Sequence, residues 1–127
     1  MKKKTFWSIS EQENRVDSGT LKIRNEVIAS IAAVATMEVE GVARTGKSVL
    51  NSLKGFFSRK IYERGAYIEF NDDNELRITV YVVAKYGANL ALLASNIQSN
   101  IRSALEKMTG IIPSEVNVII QGIQSIK

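Results

Sequence analysis

Residues 75–123 constrain the fold of this chain more than any other stretch, because their hydrophobic periodicity changes twice. Apolar residues alternate over 76–85, as on one face of a strand, and then recur at a period of about 3.6 residues, as on one face of a helix. Gly110 and Pro113 are stop signals for that helix, and strand alternation returns over 115–123. Because one helix joins the two strands, they run parallel if they share a sheet. The stretch therefore predicts a strand–helix–strand unit that contains most of the core.

The second helix of the chain is expected to bury a continuous stripe. That stripe consists of Leu90, Leu93, Ala94, Ile97, Ile101, Ala104, Leu105 and Met108. An earlier helix is predicted over 26–38 with Asn25 as its N-cap. Its single buried face is predicted to be Val27, Ile28, Ile31, Val34 and Ala35.

Short strands are predicted over 20–23 and 66–70, and the second of these should form a hairpin with 76–85 through the turn at 71–74. The elements together indicate an α+β fold, a two-layer sandwich in which two main helices pack on one face of a small mixed β-sheet.

A length of 127 residues is typical of one domain. We expect residues 1–18 to form a flexible polar arm and 19–127 to form a single α+β domain, in which the basic stretch 44–64 is a mobile insert. No apolar run is long enough to span a membrane, and no apolar segment follows Lys2–Lys4 as a signal peptide would require.

Cysteine and histidine are both absent from the sequence. Their absence excludes thiol nucleophiles, disulfides, thiolate zinc sites and every catalytic triad that needs an imidazole base. We therefore predict no enzyme, no catalytic or metal-binding residue and no cofactor, and we identify no small-molecule substrate. A cysteine-free chain also fits a cytoplasmic location.

One motif matches a nucleotide-binding pattern. The stretch Gly41–Ser48, GVARTGKS, fits G-x-x-x-x-G-K-S at every defined position. A phosphate-binding loop of this kind needs a strand before it and a helix behind it, whereas the residues before Gly41 have helical periodicity. We interpret the match as a coincidental glycine-rich helix exit, and the alternative is a true nucleotide-binding P-loop.

Acidic residues cluster at the predicted hairpin turn, where Glu69, Asp72, Asp73 and Glu75 follow one another closely. The spacing is too short for a calcium loop, so we interpret the cluster as a solvated turn.

Charge is concentrated in the stretch 44–64, where six basic residues accompany a single acidic one, Glu63. The aromatic and basic side chains there form a candidate surface for a partner or an anionic ligand. This candidate set is Arg44, Lys47, Lys54, Phe56, Phe57, Arg59 and Lys60. Such a surface could bind anionic lipid, an acidic partner or nucleic acid, and a nucleic-acid-binding module is the alternative function.

The outer face of the predicted sheet is more apolar than a solvated face requires. Tyr81, Val83, Ile119 and Ile123 are all assigned to it, and exposed apolar patches usually mark an interface. We predict either a subunit or partner interface there, or a partial cover formed by the segment 42–64 or by the N-terminal arm.

The chain resembles the alkaline shock protein family, the Gls-type envelope stress response proteins of Gram-positive bacteria. The resemblance rests on the order of five motifs over about residues 19–123. They are GTLKI at 19–23, NEVIASIAAVATMEVEGV at 25–42, LRITVYVVAKYGANL at 76–90, SNIQSNIRSALEKMTG at 95–110 and VNVIIQGI at 116–123.

The resemblance implies a non-enzymatic scaffold or adaptor that is linked to envelope and alkaline stress. It implies a cytoplasmic protein that associates with itself and is held at the inner membrane face by a membrane-anchored partner, so that its own contact with the membrane is indirect. No catalytic residue is carried over from the family.

Overall fold

The computed structural model describes residues 6–8, 19–46 and 65–125. In this part of the chain the elements are β1 (Phe6–Ser8), β2 (Lys22–Arg24), α1 (Asn25–Met37), β3 (Val42–Thr45), β4 (Ala66–Phe70), β5 (Leu76–Lys85), α2 (Leu90–Thr109) and β6 (Glu115–Gln124). Their order and packing confirm the α+β class, with both helices on one face of the sheet.

Strand β5 is the centre of a mixed four-stranded sheet. It pairs antiparallel with β4 through its first half and with β3 through its second half, and it pairs parallel with β6 along its length. Since a strand has only two edges, β3 and β4 lie end to end along one edge and β6 occupies the other. The predicted hairpin and the predicted parallel pair are both confirmed.

The core lies between the sheet and the two helices. Ile78, Val80 and Val82 alternate along β5 and are fully buried. They belong to one cluster with the fully buried side chains of Ile28 on α1 and Ile97 on α2. Burying a large aliphatic side chain stabilises a fold by roughly 1.5–3 kcal/mol, so this layer supplies most of the driving force for folding.

Helix α1 departs from its predicted boundaries and from its predicted buried face. It begins at Asn25, and the N-cap residue is Arg24, which makes no side-chain capping bond. Val27 and Val34, both predicted to be buried, are 47% and 49% exposed. The helix packs against both α2 and the sheet, so its contact surface is broad and is formed largely by alanines, which allow close approach. The buried alanines are Ala29, Ala32, Ala33 and Ala35.

Helix α2 ends as the sequence predicts, and Asn89 caps its start. The Asn89 side chain accepts a hydrogen bond from the Leu92 N–H at 3.1 Å, and Gly110 ends the helix with a left-handed backbone. The centre of the predicted stripe is buried, whereas Leu90 and Met108 at its two ends are 40% and 69% exposed, although the last turn remains buried at Leu105 and Thr109.

Two short strands have no counterpart in the predictions. Strand β1 lies in the stretch expected to be a flexible arm, and it pairs antiparallel with β2. Strand β3 lies at the start of the stretch 42–64, for which no strand was predicted, and it pairs with β5. Segments of three or four residues are too short to show a period, so only their pairing reveals them.

Candidate functional site

Rows of side chains cross the outer face of the sheet, the face away from the helices. The first row is ionic: Arg77 on β5 lies 3.8 Å from a Glu69 carboxylate oxygen on β4 and 3.2 Å from one of Glu115 on β6. All three groups are partly exposed, and exposed ion pairs contribute little to stability. The charged groups at this end of the face therefore pair with one another within the chain.

The middle of the outer face is the apolar region predicted from the sequence. Tyr81 pairs in register with Ile119, and the side chain of Ile119 is 43% exposed. Val83 is buried. A bulge in β6 changes the alternation, so that Ile123 is in register with Ala84, which belongs to the helix-facing core cluster. The structure thus brings three of the four predicted residues together and separates Ile123 from them.

Two side-chain hydrogen bonds cross β5 near Val83. Arg44 on β3 donates from Nη1 to Oε1 of Gln124 on β6 at 2.8 Å, and Gln121 on β6 donates from Nε2 to the Gly46 carbonyl at 2.9 Å. Arg44 is the register partner of Val83, so its side chain helps to cover that valine. The one described basic residue of the predicted partner-binding set therefore also has an intramolecular role.

The other members of that set lie outside the described residues. They are Lys47, Lys54, Phe56, Phe57, Arg59 and Lys60. Their assignment to a partner or anionic surface stays a prediction.

The two described residues that flank the stretch 47–64, Gly46 and Gly65, meet at Tyr81. Gly46 donates its N–H to the Tyr81 carbonyl at 3.0 Å, and Tyr81 donates its N–H to the Gly65 carbonyl at 2.9 Å. A Cβ atom added to Gly65 would lie 2.8 Å from the Gly46 nitrogen. The chain thus leaves and rejoins the sheet at a single point, beside the apolar middle of the outer face.

The nucleotide-binding pattern does not have the required geometry in its described part. Helix α1 precedes Gly41, and the variable positions Val42–Thr45 form strand β3, which is paired with β5. A phosphate-binding loop would instead follow a strand and wrap around the phosphates. Lys47 and Ser48 of the pattern lie outside the described residues.

The acidic cluster forms a turn organised by Asn71. The Asn71 side-chain oxygen accepts the N–H groups of Asp73 and Glu75, both at 2.9 Å. Glu69 is on the outer sheet face beside Arg77. Within the described residues, no group of three or more His, Cys, Asp or Glu side chains is arranged to hold a metal ion.

An apolar groove between the helices was missed by the sequence analysis. Its volume is about 240 Å³. The lining residues are Ser30, Ile31, Val34, Ala35, Glu38, Ala104 and Met108. Val27 and Met37 are also large and about half exposed on α1. Val34 and Met37 follow Val27 by seven and ten residues, and this spacing places all three on one side of a helix. The sequence therefore contains a signal for a second apolar face on α1.

A polar groove of about 550 Å³ lies beyond it, between the end of α1 and the middle of α2. Glu38 and Glu40 line one side of this groove, and serine and asparagine side chains of α2 line the other. Asn100 donates to the Ala35 carbonyl at 2.7 Å and to Glu38 at 3.3 Å, so it ties the two helices together. None of the described helices is both long and apolar enough to cross a membrane.

Comparison with known proteins decides the family. The model of the alkaline shock protein 23 family, described as having a cell envelope-related function, matches residues 13–125. The chain belongs to the alkaline shock protein 23 family. The resemblance stated from the sequence is confirmed, and the function of the chain is related to the cell envelope.

Relatives occur in two Gram-positive genera. The chain is 34% identical over 106 residues to YqhY of Bacillus subtilis strain 168, covering 84% of this chain and 78% of that protein. It is 24% identical over 114 residues to YloU of the same strain, covering 88% and 94%. Spy1535 of Streptococcus pyogenes serotype M6 is 29% identical over 106 residues, covering 83% and 79%. No solved structure gave a significant match.

Proposed function

We propose that this member of the alkaline shock protein 23 family is a non-enzymatic scaffold or adaptor of the envelope stress response. It acts by associating with itself and by binding a membrane-anchored partner protein, which holds it at the inner face of the membrane from the cytoplasm. Its contact with the membrane is indirect. No cofactor or small-molecule substrate takes part.

The observation that carries this proposal is the exposed apolar surface of the helical layer. Val27, Val34 and Met37 on α1 and Met108 on α2 are between 45% and 69% exposed, although each is large and apolar. Val34 and Met108 line the same groove. Exposed apolar surface of this kind marks protein–protein contacts, and methionine adapts its shape to a partner. We define these four residues as the helical patch.

The occupant that we assign to the helical patch is an apolar segment of the anchored partner. The groove beside Val34 and Met108 has apolar walls and only one carboxylate, Glu38, at its rim. Such a groove accepts the apolar side chains of an amphipathic helix better than it accepts a charged ligand.

The test is crosslinking followed by affinity purification from cells that express the tagged protein. The wild type is expected to recover a membrane-anchored protein and further copies of itself. The variant Met108→Glu places a charge in the helical patch and should lose the anchored protein. A matched control is Ser103→Glu, which adds the same charge to an exposed position on the same helix and should retain it.

Nucleic acid is the outcome that would contradict the proposal. If RNA or DNA alone is recovered, and if its binding weakens steeply as salt rises, the protein is a nucleic-acid-binding module, because phosphate contacts release counterions. An apolar protein interface should persist as salt increases.

A further inference from the structure

Among the described strands, β6 lies at an edge of the sheet. Proteins usually protect such edge strands from pairing with other chains. Within residues 6–8, 19–46 and 65–125, β6 pairs only with β5, so its second edge faces no described strand. An edge strand presents a row of backbone N–H and C=O groups that can pair with another chain. Proteins commonly prevent this with short strands, proline or lysine.

The composition of β6 provides little of that protection. It runs for ten residues, Glu115–Gln124, and contains neither proline nor lysine. Glu115 is its only charged residue and lies at its first position, where it is paired with Arg77 of the same chain. The stretch Val116–Ile120 is uninterrupted by the bulge, which falls beyond Ile120. This stretch is therefore regular, uncharged and rich in β-branched residues, which favour strand pairing. Its first carbonyl, that of Val116, accepts a hydrogen bond from Gln98 Nε2 on α2 at 3.0 Å and keeps a second lone pair for a partner N–H.

We propose that β6 pairs antiparallel with β6 of a second copy of this chain, which joins two sheets edge to edge. The inference rests on the proposed self-association and assigns it an interface. A two-fold axis perpendicular to the sheet at Val118 places Val118 opposite its own copy. It places Val116 opposite Ile120 and Asn117 opposite Ile119 of the second copy.

Charge and facing residues both favour a second copy as the occupant. With the axis at Val118, the two Glu115 side chains lie at opposite ends of the paired stretch, so no like charges face each other. Helix-facing residues of one copy pair with helix-facing residues of the second copy, and outward-facing residues pair with outward-facing residues. The two helical layers thus lie on one face, and the two Tyr81–Ile119 rows lie on the other.

An isologous contact of this kind uses the same surface on both subunits, so it closes as a dimer. It also leaves the helical patch of each copy accessible. A dimer would then present two partner-binding grooves on the same side, which raises the effective affinity for a clustered membrane-anchored partner.

The experiment measures oligomeric state by size-exclusion chromatography with light scattering over a range of concentrations. The wild type is expected to dimerise. Ile119→Lys places two ammonium groups beside the axis and should weaken dimerisation at least tenfold. Ile112→Lys is the matched control, because Ile112 is a large apolar residue that is 61% exposed but lies before β6. It should leave the dimer unchanged.

A second measurement uses the absence of native cysteine. Ile119→Cys introduces the only thiol of the chain, and a short bis-maleimide should link two such copies across the axis. Ile112→Cys should give no linked dimer. Circular dichroism and urea unfolding of each variant establish that it is folded.

The outcomes distinguish the proposed self-association from the β6 interface that is assigned to it. If the wild type dimerises, but neither Ile119 variant differs from its Ile112 control, the β6 interface is wrong and self-association stands. If the folded wild type stays monomeric at all concentrations, both the interface and the proposed self-association are wrong.

Discussion

Two buried threonines make the same hydrogen bond but differ in a second one. Thr36 and Thr109 each donate a hydroxyl hydrogen to the carbonyl four residues earlier, both at 2.7 Å. Thr109 also accepts the N–H of Ile111 at 3.0 Å, where the chain turns out of α2. Thr109 therefore satisfies a buried backbone donor that has left the helix.

Replacing each threonine by valine should separate these two roles. Thr109→Val leaves the Ile111 N–H without its acceptor and should lower the free energy of unfolding by about 1–3 kcal/mol. Thr36→Val leaves no such donor, because the Ala32 carbonyl is also part of the α1 backbone ladder, and it should cost about 1 kcal/mol or less. Urea unfolding of both variants measures the difference, and equal losses would contradict the assigned role.

Gly65 is required for a reason that Gly110 lacks. Both residues have positive φ, but a Cβ on Gly65 would lie 2.8 Å from the Gly46 backbone nitrogen, whereas a Cβ on Gly110 would meet nothing within 4 Å. Gly110→Ala should cost only the left-handed backbone strain, about 1–2 kcal/mol. Gly65→Ala should cost more, since the strands must also separate. Thermal unfolding of the two variants tests this order, and a smaller loss for Gly65→Ala would refute the close approach.

At the scale of elements, the two helices differ in how far sequence determines them. Helix α2 has a capping asparagine, a single apolar stripe and a glycine stop, and each of these acts locally, so its bounds were predictable. Helix α1 has no side-chain cap and is buried on several sides. Its apparent stripe therefore mixed buried residues such as Ile28 with exposed ones such as Val34.

The cap of α2 gives an element-scale prediction. Asn89→Ala removes the acceptor of the Leu92 N–H and should destabilise the protein by about 1 kcal/mol. Asn96→Ala changes an exposed asparagine within the same helix and should cost nothing or stabilise slightly, because alanine is the better helix former. Chemical unfolding of both variants is the measurement. A loss at Asn96 equal to that at Asn89 would mean that capping does not explain the effect.

The sheet shows the opposite balance between local and long-range causes. The sequence predicted β4, β5 and β6 because apolar and polar side chains alternate along a strand that buries one face. The short strands β1 and β3 exist because β2 and β5 supply pairing partners. The bulge in β6 was also invisible in the sequence, although it decides which face receives Ile123.

For the whole molecule, the placement of Gly41–Ser48 predicts the absence of nucleotide binding. The pattern begins at the exit of a helix and continues into a paired strand, so its described backbone is not available to surround phosphates. Equilibrium dialysis with ATP or GTP and magnesium should show no micromolar binding, and Lys47→Ala should change nothing. Magnesium-dependent binding that Lys47→Ala abolishes would overturn this conclusion.

The sequence by itself determined the strand–helix–strand unit, the α+β class and the family, because periodicity, caps and stop residues act over a few neighbouring positions. Only the tertiary structure decided which apolar residues remain exposed, since burial depends on distant elements. Val27 and Val34 differ from Ile28 through the packing of α1, not through their own chemistry. Likewise, among the described strands, only pairing made β5 the centre and β6 an edge of the sheet. The surfaces available for association follow from that arrangement.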